Sequence, residues 1–99
     1  MVSQLRIYTI NNGKMDEWLK VFDEQLRPIH AQYGIPIERT WVNDERTEFI
    51  WVRNFDSLED LENKTRTYVT SPERKALGAM PGVLIAKTEV RVIEAVLTG

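Results

Sequence analysis

Two arginines and a group of large aromatic side chains carry most of the chemical potential of this sequence. Arg6 and Tyr8 stand two residues apart in one β-rich run. Trp51 and Arg53 stand two apart in another, and Trp41 lies in the run before it. Alternate residues of a strand share a face, so each pair points to one side of a sheet. Together they could form a small-molecule site. The guanidinium groups would hold a carboxylate, enolate or phenolate, Tyr8 would donate a hydrogen bond, and the indoles would stack on an apolar ring. A mid-strand arginine is costly to bury unless it meets an anion, and two on neighbouring strands are more suggestive than one. The competing reading is structural. The aromatics would then fill a sheet–helix core while the arginines snorkel to its rim or pair with Glu38, Glu48 or Glu89. We expect Arg6, Tyr8, Trp41, Trp51 and Arg53 to be ligand-binding residues in a cleft of mostly apolar walls.

His30 is the only histidine. It titrates near neutrality when unperturbed and could act as an acid or base. It would equally suit the end of a helix, where a cation favours the dipole. If proton abstraction next to a carbonyl occurs, with the arginines stabilising the oxyanion, His30 or Glu48 is the candidate catalytic base. No second histidine and no cysteine exist to complete a metal site. A lone histidine can ligate haem, but this ranks below the other readings. There is no Gly-x-Ser-x-Gly elbow, Gly-rich phosphate loop, dinucleotide fingerprint or calcium loop. We therefore expect no cofactor.

Composition narrows the classes further. With no cysteine, disulfides, zinc–thiolate sites, iron–sulfur clusters and thiol nucleophiles are excluded. Thirteen basic and fifteen acidic residues give a net charge of -2, which offers no electrostatic reason to propose nucleic acid or an anionic membrane as partner. No apolar run approaches the ~20 residues of a membrane helix. The N-terminus lacks the basic and apolar regions of a signal peptide. The expected location is cytoplasmic, and 99 residues suit one domain over 1–99.

The elements that must position these residues are legible from periodicity. Residues 2–10 predict a strand. After the Asn11-Asn12-Gly13 turn, Met15, Trp18, Leu19, Phe22, Leu26 and Ile29 form the apolar stripe of a helix from about Gly13 to Tyr33. Pro28 should kink or interrupt its last turns. Gly34 suits the stop. Strands follow at about 36–43 and 47–54, joined by Asp44-Glu45-Arg46 as a three-residue hairpin connection. Asp56 or Ser57 can cap a second helix, with Glu59 or Asp60 completing a capping box. Leu58, Leu61, Thr65 and Tyr68 mark its inner stripe. Ser71-Pro72-Glu73 starts a short third helix that runs to about Gly78. Met80-Pro81-Gly82 should break that helix before a last strand over 83–97.

This order, β-α-β-β-α-β, is the ferredoxin-like pattern: an α+β fold with a four-stranded antiparallel sheet and helices on one face. Alternation sorts the strands into a large aromatic and cationic face and a small β-branched face. With the hairpin centred on Glu45, Arg39 falls opposite Trp51 and Trp41 opposite Phe49. Thr40 and Val42 then join Ile50 and Val52. Glu94 among valines suggests a bulge near the chain's end. Nothing in the chain is left to cover the helix-free face, and face-to-face homodimerisation is the simplest remedy.

The segments Leu5-Arg6-Ile7-Tyr8-Thr9-Ile10 and Gly13-Lys14-Met15-Asp16-Glu17-Trp18 resemble the opening of NIPSNAP-family domains. Phe49-Ile50-Trp51-Val52-Arg53-Asn54-Phe55-Asp56-Ser57-Leu58-Glu59 resembles the family's third strand and second helix start, and Tyr33-Gly34-Ile35 also fits. The resemblance implies a dimeric α/β barrel, two ferredoxin-like subunits with facing sheets. It implies a cleft between each sheet and its helices, to which Arg6, Tyr8, Trp51 and Arg53 carry over. The wider superfamily includes cofactor-free monooxygenases and isomerases, so the resemblance extends to a binding site with or without turnover. The alternative is a non-catalytic dimeric module that binds a ligand or a protein.

Overall fold

The N-terminal run forms β1 (Val2–Ile10) in a computed structural model that describes residues 1–96. Beyond it lie α1 (Met15–Val21), a π-helical turn (Phe22–Leu26) and α2 (Arg27–Gln32), which together make one long helical segment. Strands β2 (Thr40–Val42) and β3 (Glu48–Phe55) follow, then α3 (Leu58–Val69), α4 (Pro72–Ala76), α5 (Met80–Val83) and β4 (Ile85–Glu94). The strands pair antiparallel in the order β2-β3-β1-β4. This is the ferredoxin-like α+β sheet that the sequence predicts.

The caps form where the sequence places them. Ser57 Oγ accepts from Asp60 N–H at 3.1 Å, and Asp60 Oδ2 accepts from Asp56 N–H at 2.9 Å. Ser71 Oγ accepts from Arg74 N–H at 3.1 Å, with Pro72 at the first helical position. Pro28 has the expected local effect in a specific form. It lacks an N–H, and the turn before it widens so that Arg27 N–H donates to Phe22 O, five residues back.

The large face of the sheet packs under the helices. Val2, Gln4, Tyr8 and Ile10 of β1 are buried with Phe49, Trp51, Arg53 and Phe55 of β3. Trp18 and Phe22 meet Phe49 in an aromatic cluster, with ring centres 4.7–5.8 Å apart. A second cluster joins Ile29 and Ile35 to Phe55 and Tyr68 beneath α3.

Four local expectations are corrected. First, the hairpin is one residue longer than predicted. Asn43 Oδ1 accepts from both Thr47 and Glu48 N–H at 2.8 Å, and Arg46 takes the left-handed conformation, φ 58°. The register becomes Thr40↔Trp51, Trp41↔Ile50 and Val42↔Phe49. A shift of one residue exchanges the faces of a strand. Trp41 therefore lies on the helix-free side, 44% exposed, while Val42 packs against the core. Arg39 is exposed and precedes the strand. Second, the third helix ends at Ala76, the break falls at residues 77–79, and Met80-Pro81-Gly82 begins the further helix α5, because Pro81 sits at a helix start where its missing donor costs nothing. Third, β4 spans Ile85–Glu94, and position 97 of the predicted strand lies outside the described residues. Its irregularity is at the other end from Glu94, where the register shifts between Thr9 and Ile10. There Asn11 holds the start of the strand, with N–H to Leu84 O at 2.9 Å and Nδ2 to Val83 O at 2.8 Å. Fourth, Leu58 at the start of α3 is exposed, and only the later stripe residues approach the core.

Candidate functional site

The side chains that matter sit where β1 and β3 run beneath the helices. Arg6 pairs directly with Trp51 across the two strands, and Gln4 with Arg53. Gln4 Oε1 is the common acceptor. It takes Arg6 Nη1 at 2.9 Å, Arg53 Nε at 2.9 Å, and a close bond from Arg53 Nη2. Arg6 Nε also donates to Tyr8 Oη at 2.9 Å. Both guanidinium groups lie 5.6 Å from the Trp51 ring centre, within cation–π range. Among the described residues, neither arginine has a carboxylate within 4.0 Å.

Arg53 is 3% exposed. Burial, then the neighbouring Arg6 charge, lowers its pKa from 12.5 to about 10. A neutral amide oxygen stabilises two cations less well than an anion would.

His30 reaches the same place from α2. The widened turn ends at Leu26, whose carbonyl lies 2.8 Å from His30 Nδ1. A carbonyl only accepts, so Nδ1 carries the proton and Nε2 is left with its lone pair. Arg53 Nη1 stands 3.4 Å from that Nε2. The ring stacks on Tyr68 of α3, centres 4.0 Å apart, and meets the edge of Trp51 at 5.2 Å. Burial outweighs the raising effect of the Leu26 bond, and Arg53 and Arg6 lower the pKa further, from 6.5 to about 4. At neutral pH His30 is uncharged. Burial likewise raises the Tyr68 phenol, opposed by Arg74.

These groups line one cavity of about 460 Å³, within the usual size of ligand pockets (roughly 300–1000 Å³). The sheet contributes Arg6, Tyr8, Trp51 and Arg53, and the first helical segment contributes Trp18, Leu26 and His30. Thr65 and Tyr68 enter from α3, and Arg74 and Lys75 from α4. The Trp18 and Trp51 indole N–H groups and the Thr65 hydroxyl have no hydrogen-bond partner among the described residues. Among the described residues no group of three or more His, Asp or Glu could hold a metal ion. No helix there is long and apolar enough to cross a membrane.

Two residues singled out in the sequence are not part of this cavity. Glu48 pairs with Thr9 on the helix-free side of the sheet, so it cannot serve His30's site as a base. Trp41 is turned to that side by the longer hairpin. In their place stand Tyr68, Arg74 and Lys75, which the sequence did not single out. Tyr68 was readable as an inner-stripe residue, and the Ser71-Pro72 start announced α4. Which face of so short a helix turns inward had no sequence signal.

The NIPSNAP family model matches residues 3–97. The chain belongs to the NIPSNAP family. Its fold is shared with solved members. A NIPSNAP family protein from Agrobacterium tumefaciens is 26% identical, with 96% of this chain and 92% of that one covered and a TM-score of 0.87. An uncharacterized NIPSNAP domain protein from Burkholderia xenovorans is 19% identical, with 97% and 95% covered and a TM-score of 0.88. An antibiotic biosynthesis monooxygenase shares the fold at 14% identity, with 98% and 100% covered and a TM-score of 0.72. No curated protein shows a significant match.

Proposed function

We propose that this NIPSNAP protein binds a small aromatic molecule carrying a carboxylate, enolate or phenolate in the cleft between sheet and helices. The observation that carries this reading is the sharing of Gln4 Oε1 by Arg6 and Arg53, beside an aromatic cavity and with no carboxylate of the described residues paired to either. An anionic group would provide each guanidinium with the acceptor it lacks. Trp51 and Tyr8 would cover an apolar ring. The test is calorimetric titration with 1-naphthoate and, separately, with 1-naphthalenemethanol. The acid is expected to bind and the alcohol to bind far more weakly. Equal affinity would remove the anion from the reading.

His30 supports a second, catalytic reading as a cofactor-free monooxygenase or isomerase, because its Nε2 lone pair is held beside the proposed anion position. A base with a pKa of about 4 accepts protons only from an acidic substrate. The site is thus better suited to holding an anion than to creating one. The fold shared with an antibiotic biosynthesis monooxygenase makes oxygenation of an electron-rich, anionic aromatic the first turnover to assay.

The protein acts as a homodimer in this reading, with the helix-free faces of two sheets packed together. Leu5, Ile7, Ile50 and Val52 on that face are only partly covered within one chain, and Trp41 and Ile93 are each 44% exposed. Covering them in water is favourable.

A further inference from the structure

The charged residues that line the cavity are all of one sign. Arg6, Arg53, Arg74 and Lys75 are cationic and no aspartate or glutamate joins them, although acids outnumber bases in the chain. The four are also graded in depth. Arg53 is buried, Arg6 and Arg74 are half-buried, and Lys75 is exposed. Arg53 and Arg6 thus form an inner pair on the sheet, and Arg74 and Lys75 an outer pair on α4.

The outer pair has no anion of its own. Glu73, the nearest acid in sequence, is tied to Tyr33 Oη across the molecule by a close hydrogen bond, which holds its carboxyl below the usual range. Arg74 meets only neutral partners: its side chain is close enough to the Tyr68 hydroxyl to oppose the burial-driven rise in that phenol's pKa, and its Nη1 stands 3.5 Å from the Gly78 carbonyl, too long for a good hydrogen bond. Among the described residues Arg74 and Lys75 have no carboxylate within 4.0 Å. Basic residues in a helix's last turn are ordinarily explained by the dipole. In a helix of five residues that effect is small, and it does not explain why both residues line the cavity.

We infer that the ligand carries two separate acidic groups, one held by Arg6 and Arg53 at the inner end and the other by Arg74 and Lys75 at the outer wall. The inference rests on the anion-binding reading of the cleft and adds to it the number and spacing of charges. A ligand with one acid would leave two cations facing an apolar ring. The cavity of about 460 Å³ has room for more than one ring and one acid. The ligand class is therefore an aromatic diacid, with Arg74 as a specificity-determining residue.

The experiment is calorimetric titration of the whole protein with 1-naphthoate and with naphthalene dicarboxylates of three different spacings, repeated on the Arg74→Gln/Lys75→Gln variant. At least one dicarboxylate is expected to bind about tenfold more tightly than the monoacid, the worth of one added charge-assisted contact. The double variant should abolish that gap and weaken the monoacid far less than the diacid. If no dicarboxylate exceeds the monoacid, the second acidic group is wrong while the inner anion site stands. If the variant weakens monoacid and diacid alike, the outer pair is not a separate subsite, and the inference fails. If neither acid binds the parent protein, the underlying reading fails with it. Far-ultraviolet circular dichroism of the variant checks that the fold is retained.

Discussion

The His30 imidazole and the Arg53 guanidinium meet edge to edge in the buried wall of the cavity, with Nε2 and Nη1 3.4 Å apart. One is neutral because burial and its cationic neighbours forbid a second charge. The other is charged without an anion among the described residues. Packing accounts for the neutral His30, and in the proposed reading an anion that enters the cavity accounts for the charged Arg53.

Arg53→Met is expected to separate stability from binding. Keeping Arg53 charged at 3% exposure, with its pKa lowered from 12.5 to about 10, corresponds to a penalty of roughly 3 kcal/mol. Methionine has similar reach and no charge, and Gln4 Oε1 keeps its bond from Arg6. The thermal midpoint should stay level or rise. Affinity for 1-naphthoate should fall roughly ten- to a hundredfold, the loss of a charge-assisted contact. Differential scanning fluorimetry and calorimetry on the same preparation check both halves.

His30 sets a pH dependence of stability. The unfolded imidazole takes up a proton near its ordinary pKa of 6.5, whereas the folded one does so only near 4. Above pH 6.5 both states are neutral and the residue costs nothing. As pH falls from 6.5 to about 4 the unfolded state is favoured, by roughly 3 kcal/mol at the end of that window. Urea midpoints measured at pH 7, 6 and 5 should fall in the parent protein and stay nearly level in His30→Gln. A level profile in the parent would show that His30 is not held neutral.

Asn43→Ala tests the hairpin that decides which residues face the cavity. It removes the acceptor of two backbone N–H groups, each at 2.8 Å, in a loop whose Arg46 already takes a left-handed conformation. The expected loss is about 1–2 kcal/mol in chemical unfolding. Ligand affinity should hold, since β2 contributes nothing to the cavity lining.

The helix-free face is tested by Ile50→Asp and Trp41→Ala. A carboxylate at position 50 would be costly to bury against a second sheet. Sedimentation velocity should show a dimer for the parent protein and a monomer for Ile50→Asp. Trp41→Ala should weaken association while leaving the affinity for 1-naphthoate within about twofold. Glu48→Gln, on the same face, should also leave that affinity unchanged.

Much of this molecule could be read from residue order. Element types, both serine caps and the α+β arrangement follow from local rules, because periodicity and capping act within a few residues. The facing of Arg6, Tyr8, Trp51 and Arg53 to one side was also readable, since alternation within a strand is strict. That they lie under the helices required the sheet to be packed.

Other features depended on distant contacts. Trp41 changed its meaning through a single extra loop residue, held by an asparagine side chain that periodicity does not see, whereas the place of Glu48 on the face opposite Phe49 follows from alternation along β3. The stacking of Tyr68 on His30 and the sharing of Gln4 by two arginines join residues 38 and 49 positions apart. The sequence by itself determined which side chains could face together. Tertiary packing alone decided that a buried and a half-buried cation would share one neutral oxygen, because that outcome depends on which acids are left out of reach.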